Sequence, residues 1–135
     1  MKKQNLFPLL AVVLLATGLA SAQMDGPIKA NIPFDFVVGK TALPAGEYRV
    51  SKVSDIGVLS LVGDGGPAMV GSHDVQASAA SGSTKLIFHR YGDQYFLYQI
   101  WVEGESRGRE LPKTNLEKEL LAKARFTSVA VLAHR

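Results

Sequence analysis

Apolar and polar residues alternate along most of the chain with a period of two, which is the pattern of half-buried β-strands. The clearest example runs from Lys85 to Val102, where two apolar, aromatic runs flank the turn Tyr91-Gly92-Asp93-Gln94. A short glycine-containing turn between two such runs predicts a β-hairpin. Because both faces of these runs are substantially apolar, we expect the hairpin to lie centrally in a sheet and to be covered on both sides.

Five further segments show a strand pattern, with glycine, proline and small polar residues between them. They are residues 29–38, 47–53, 56–62, 68–75 and 126–133. Pro33 cannot donate a ladder hydrogen bond, so we expect the first of these strands either to lie at an edge of the sheet or to have Pro33 facing outward. The charged, glycine-containing segment 103–109 is expected to be a loop.

One helix is expected near the end of the chain. Thr114 and Glu117 have the spacing of a capping box. An apolar stripe at helical spacing is expected to face the sheet, and it comprises Leu116, Leu120 and Leu121. Charged residues are expected to face water, namely Glu117, Lys118 and Lys123. A helix of about ten residues is marginal alone, so it must pack on the sheet to persist.

Together these elements predict a mainly β fold. Short strands recurring about every ten residues favour an antiparallel sandwich or a partly open barrel of about seven strands, with one short C-terminal helix. The helix would cover an open end or one face of the sheet. We expect residues 23–135 to form a single β-rich domain, since a chain of this size can bury an adequate core without crosslinks.

The first 22 residues have the features of a signal peptide rather than of a folded element. Lys2 and Lys3 precede an apolar run from Leu6 to Leu19, and Ala20-Ser21-Ala22 follows as a small-residue cleavage pattern. Cleavage is expected between Ala22 and Gln23, and the alternative is an uncleaved N-terminal anchor. The sequence therefore predicts an exported protein, periplasmic or extracellular, that contacts the membrane only transiently through its signal peptide.

Composition excludes several classes of function. The chain has no cysteine, so it has no disulfides, thiol catalysis or thiolate metal sites. Removing Lys2 and Lys3 with the signal peptide leaves 13 basic residues against 12 acidic ones. This balance does not predict a nucleic-acid partner.

Candidate catalytic and metal-binding residues are few. Ser106 lies in a G-x-S-x-G pattern, but a nucleophile elbow needs a following helix and a much larger fold, so a solvated loop is the favoured interpretation. His73, His89 and His134 lack the close spacing of zinc ligands. We therefore predict no catalytic residue, no metal site and no cofactor.

The aromatic residues of the hairpin suggest one speculative binding surface. Tyr95, Gln99 and Trp101 alternate along the second strand and are expected to share a face, where the rings could stack on a sugar or another planar ligand. The competing interpretation is that these aromatic residues belong to the core or pair across strands.

Several longer stretches carry a resemblance to a known family. They are residues 32–39 (IPFDFVVG), 43–48 (LPAGEY), 86–92 (LIFHRYG), 95–97 (YFL) with Trp101, and 108–112 (GRELP). This pattern, which covers most of the chain after the signal peptide, resembles a family of small, exported, uncharacterised bacterial proteins. The resemblance implies export and a shared small β-rich fold, and it carries no activity, substrate or catalytic residue.

The leading functional hypothesis is a non-enzymatic β-domain that binds a partner protein or a small ligand in the bacterial cell envelope. Two alternatives stay open. One is a small envelope hydrolase that uses Ser106 or a histidine. The other is a purely structural envelope component.

Overall fold

The computed structural model describes residues 27–53 and 57–135. The predicted signal peptide and the cleavage site between Ala22 and Gln23 lie outside the described residues. Within the described part, the chain forms eleven strands and one helix. They are β1 (Ile28–Ile32), β2 (Phe36–Val38), β3 (Thr41–Leu43), β4 (Gly46–Lys52), β5 (Val58–Gly63), β6 (Gly66–Gly71), β7 (His73–Gln76), β8 (Lys85–Tyr91), β9 (Gln94–Trp101), β10 (Arg107–Glu110), α1 (Asn115–Lys123) and β11 (Thr127–His134).

The sheet curls on itself into a nearly closed barrel. Its main path is β3-β2-β9-β8-β11-β1-β4-β5-β6. The strand β9 also pairs with β10, and β10 pairs with β7, which follows β6 in the chain. Through β7 and β10, the end of the path at β6 is thereby linked back to β9, which nearly closes the barrel. The prediction of a mainly β fold, a sandwich or partly open barrel with one short helix, is confirmed.

The structure has more strands than the seven predicted because short breaks and short pairings are hard to see in a period of two. Pro33 to Asp35 separates β1 from β2, and Ser72 separates β6 from β7. Two segments expected to be connections contain the short strands β3 and β10. Of the two alternatives for the first strand, the edge position is wrong, since β1 lies between β4 and β11. Pro33 follows the last residue of β1 and is exposed, in agreement with the outward-facing alternative.

The predicted hairpin is confirmed and is central. β8 lies between β9 and β11, and Gly92 in the connecting turn has a φ of 63°, which glycine adopts without steric cost. The register shifts within the hairpin, since Phe88 is opposite Leu97 while Ile87 is opposite Gln99. Tyr98 is therefore the extra residue of a β-bulge, which changes the face presented by the residues after it.

The barrel interior is filled by aliphatic side chains and a few rings. Phe36 makes edge-to-face contacts with Tyr48 and Phe88, at ring-centroid distances of 5.2 Å and 5.6 Å. The largest fully buried side chains are Tyr48, Phe88, Ile28, Ile32, Leu61, Leu86, Val38 and Val50. This burial is the main stabilising term for a chain without disulfides.

The helix packs on the sheet with a different face from the one predicted. Glu117 is 4% exposed, whereas Leu116 and Leu121 are 47% and 41% exposed. The expected orientation is therefore wrong for Leu116, Leu121 and Glu117, while Leu120 is half-buried. The reason lies in the sheet, where His89 and Tyr91 present polar groups that the Glu117 carboxylate satisfies. The predicted cap is present, since the Thr114 hydroxyl accepts a hydrogen bond from the Glu117 backbone N–H at 3.3 Å.

Across residues 27–53 and 57–135, no helix combines the length and the hydrophobicity needed to cross a membrane.

Candidate functional site

A cavity of about 560 Å³ lies at one end of the barrel. Ile28 at the start of β1 pairs with Val50 near the end of β4, and Lys52 pairs with Leu59 at the start of β5. These pairings bring several strand ends together around the cavity. Its apolar floor consists of five buried aliphatic residues, Ile28, Val50, Leu59, Ile100 and Val102. The volume lies within the range of small-molecule pockets in proteins.

The rim of the cavity is polar. It consists of Ser51, Lys52, Asp74, Glu105, Arg107 and Arg109. Lys52 is two residues after the buried Val50 on β4, so both side chains point to the inner side of the sheet. Arg109 is opposite the buried Ile100, which places Arg107 and Arg109 on the inner face of β10. An apolar floor with a few polar groups at its opening is the usual construction of a binding pocket.

Arg109 holds this end of the barrel together. Its Nε donates to Ser72 Oγ at 2.9 Å, its Nη2 donates to the Ser72 carbonyl at 2.7 Å, and its Nη1 pairs with Asp74. The Ser72 hydroxyl in turn donates to the Gly57 carbonyl at 2.6 Å. Gly57 has a φ of 90°, and a Cβ there would lie 2.5 Å from Arg109 Nη2. The side chain of Arg109 therefore joins β10 to the bend between β6 and β7 and to the start of β5.

A second polar cluster lies on the outside of the barrel, beneath α1. His89 Nδ1 is 3.0 Å from Glu117 Oε2, and the Tyr91 hydroxyl donates to the same oxygen at 2.9 Å. All three residues are buried. The His89 ring is stacked between Tyr98 and Phe126, with centroid distances of 3.9 Å and 3.8 Å. The cluster holds the helix on the sheet, and the rings of Tyr98 and Phe126 cover the two faces of the histidine ring.

Burial raises the pKa of the Tyr91 hydroxyl well above its usual range, and the hydrogen bond to Glu117 raises that pKa further. The pKa of Tyr98 is also raised, by burial and by its hydrogen bond to Glu110. Both phenols therefore stay protonated in the folded protein at pH values at which free tyrosine begins to ionise.

Glu110 on β10 accepts hydrogen bonds from neighbouring side chains. Gln99 Nε2 donates to Glu110 Oε1 at 2.7 Å, and Gln99 Oε1 accepts from Trp101 Nε1 at 3.0 Å. Burial acts to raise the pKa of Glu110. The hydrogen bonds from Gln99 and Tyr98, with the nearby His73 and Lys113, outweigh it and lower that pKa below its usual value. The carboxylate is thus the charged centre of a largely satisfied network.

The structure brings together two of the three residues of the speculative binding surface. Gln99 and Trp101 are hydrogen-bonded to each other on the outer face. Tyr95 lies before the bulge at Tyr98 and stacks instead on Phe34, with a centroid distance of 3.7 Å. The three side chains therefore do not form one continuous surface, and their role as ligand contacts stays a prediction.

The residues considered for catalysis each make separate contacts and do not form one group. Ser106 Oγ accepts a hydrogen bond from Gln76 Nε2 at 3.0 Å. His89 is enclosed beneath the helix, and His73 lies 3.6 Å from Glu110. Within the described ranges no group of three or more histidine and acidic residues is placed to hold a metal ion.

No protein-family model, curated protein or solved structure matches this chain.

Two features of the site have no simple signal in the sequence. The cavity depends on barrel closure, in which the charged strand β10 takes part. The contact of Glu117 with His89 and Tyr91 joins residues 28 and 26 positions apart. The RGRE segment of β10 carries one signal, since Arg107 and Arg109 are two residues apart and therefore share a face of the strand.

Proposed function

We propose that this protein is an exported, non-enzymatic β-domain that binds a small ligand in the cavity at the end of its barrel. The observation that carries the proposal is the cavity itself, with its floor of five buried aliphatic side chains and its polar rim. An apolar cavity at the mouth of a barrel is a favourable place for a ligand because binding removes apolar surface from water.

The location of the protein is part of the same proposal. The N-terminal pattern of Lys2, Lys3, the Leu6–Leu19 run and Ala20-Ser21-Ala22 supports export to the periplasm or the medium. The resemblance to small exported bacterial proteins agrees with it. In such a compartment the domain would serve as a binder or carrier of a poorly soluble small molecule.

The experiment is a titration of the mature domain with N-phenyl-1-naphthylamine, a neutral apolar dye whose fluorescence increases when it leaves water. We expect saturable binding. Val102, 8% exposed at the cavity, offers a position at which a larger side chain fills the space. Val102→Phe should weaken dye binding by about tenfold or more, since one lost contact of 1.4 kcal/mol already gives tenfold.

The matched control is Val62→Phe, which adds the same ring on the outer side of β5, where Val62 is 50% exposed. It should leave dye binding unchanged. Unfolding midpoints of both variants establish that each is folded at the temperature of the titration. Absence of saturable binding by the wild type, or equal binding by wild type and folded Val102→Phe, would overturn the proposal and favour a structural role.

A further inference from the structure

The charges around the cavity are arranged unevenly between its walls. β10 contributes two arginines to the inner face, Arg107 and Arg109, and β4 contributes Lys52. The acidic residues that line the same cavity are Asp74 and Glu105. Among the residues that line the cavity, cations therefore outnumber anions by three to two.

One cation and one anion of this set neutralise each other. Arg109 pairs with Asp74 and gives its two other donor groups to Ser72, so its guanidinium is used within the barrel wall. Arg107 and Lys52 are exposed at the opening. Their side chains are long and flexible enough to reach the head of a ligand there.

The floor of the cavity specifies the other end of the ligand. Its five buried side chains are aliphatic and carry no donor or acceptor. A ligand group with donors or acceptors would find no hydrogen-bonding partner on this floor, and burying such a group without a partner is unfavourable. The floor therefore favours a hydrocarbon segment.

We infer that the ligand is an aliphatic carboxylate, with its hydrocarbon chain on the floor and its carboxylate at the rim beside Arg107 and Lys52. This inference rests on the proposed cavity binding and adds the chemistry of the ligand. Arginine presents a planar pair of donors to a carboxylate, while lysine acts as a point charge. Glu105 on the same rim opposes the anion and limits the gain.

The test compares three ligands with the same chain, namely decanoate, decanol and decylamine, each below the concentration at which it aggregates. Binding is measured by displacement of N-phenyl-1-naphthylamine at low and at 0.5 M salt. Decanoate should bind about fivefold more tightly than decanol and more tightly still than decylamine at low salt, as expected for charges at a partly exposed rim. Salt should reduce the preference for decanoate because it screens the rim charges.

Arg107→Gln should remove most of the difference in affinity between decanoate and decanol, because it weakens the binding of decanoate far more than that of decanol. Glu105→Gln should increase the difference in affinity between decanoate and decanol, because it removes the acidic group on the rim. The control is Arg49→Gln, since Arg49 is exposed on β4 between the buried Tyr48 and Val50 and therefore points outward. It should leave all three affinities unchanged.

The outcomes separate the two levels of the proposal. Dye and decanol binding with no preference for decanoate, or a preference that Arg107→Gln and Arg49→Gln reduce equally, would overturn the inference and leave cavity binding standing. If decylamine binds most tightly, the rim acts through Glu105 and the inference is wrong. Failure of the dye and of all three ligands to bind would overturn cavity binding itself.

Discussion

Tyr91 carries a hydroxyl that is buried beneath α1 and donates to the Glu117 carboxylate at 2.9 Å. Ionising this phenol would place two negative charges against each other in a region of low polarity. Burial and this hydrogen bond therefore raise its pKa. In the unfolded chain the same phenol ionises near pH 10. Above about pH 10, the Tyr91 hydroxyl therefore keeps its proton in the folded state and loses it in the unfolded state.

The consequence is a loss of stability in alkali. Because the pKa is raised by folding, the stabilising contribution of the protonated phenol is complete below pH 10 and decreases as the pH rises from 10 toward the folded pKa. A single such group changes the free energy of unfolding by at most about 1.4 kcal/mol per pH unit. Tyr98 and Tyr48 have raised pKa values and contribute in the same direction.

Tyr91→Phe isolates the contribution of one phenol. The variant should lose about 1–2 kcal/mol at pH 7, since the hydrogen bond to Glu117 is gone. Between pH 10 and 12 its free energy of unfolding should fall less steeply than that of the wild type, because Tyr98 and Tyr48 remain in both proteins. Urea unfolding at a series of pH values measures both quantities. Equal slopes for the two proteins would show that Tyr91 does not contribute to the loss of stability in alkali.

At the scale of elements, the buried side chain of α1 is a carboxylate, whereas two of its three leucines, Leu116 and Leu121, are exposed. The nine-residue helix would be marginal alone. Its buried side chain is Glu117, which accepts from Tyr91 and contacts His89. Removing one partner of a buried polar cluster leaves the others without hydrogen bonds, which is strongly unfavourable.

Glu117→Ala should therefore destabilise the domain by about 3 kcal/mol. Glu119→Ala is the matched control, since Glu119 is exposed two residues further along the same helix. It should change the free energy of unfolding by less than about 0.5 kcal/mol. Urea unfolding of both variants at pH 7 gives the comparison. Similar small effects of the two substitutions would mean that the buried carboxylate does not hold the helix in place.

The elements differ in how far the sequence predicts them. The central hairpin follows from its aromatic runs and its glycine turn, and the Thr114 cap follows from its spacing with Glu117. The docking face of α1 does not, because counting leucines ignores the polar groups of His89 and Tyr91 on the sheet below. β10 is missed because a short RGRE segment has no apolar alternation, and its pairing arises from closure of the barrel.

At the scale of the molecule, closure of the barrel creates the cavity. β7 and β10 connect the end of the β5–β6 hairpin back to β9, and Arg109 joins these strands through Ser72 and Asp74. The strand pattern places Val50 and Leu59 within predicted strands, whereas Ile28 precedes the predicted strand 29–38 and is the first residue of β1. It does not predict that these three residues line a cavity, since the volume inside a barrel is set by the number, tilt and register of its strands.

The role of this space is tested most directly by NMR of the methyl groups during titration with N-phenyl-1-naphthylamine. We predict saturable shifts of the methyl signals of the floor, which belong to Ile28, Val50, Leu59, Ile100 and Val102. The exposed methyl groups of Leu116 on α1 and Leu132 on β11 should not shift. Shifts confined to these outer leucines, with the floor signals unchanged, would contradict ligand binding inside the barrel.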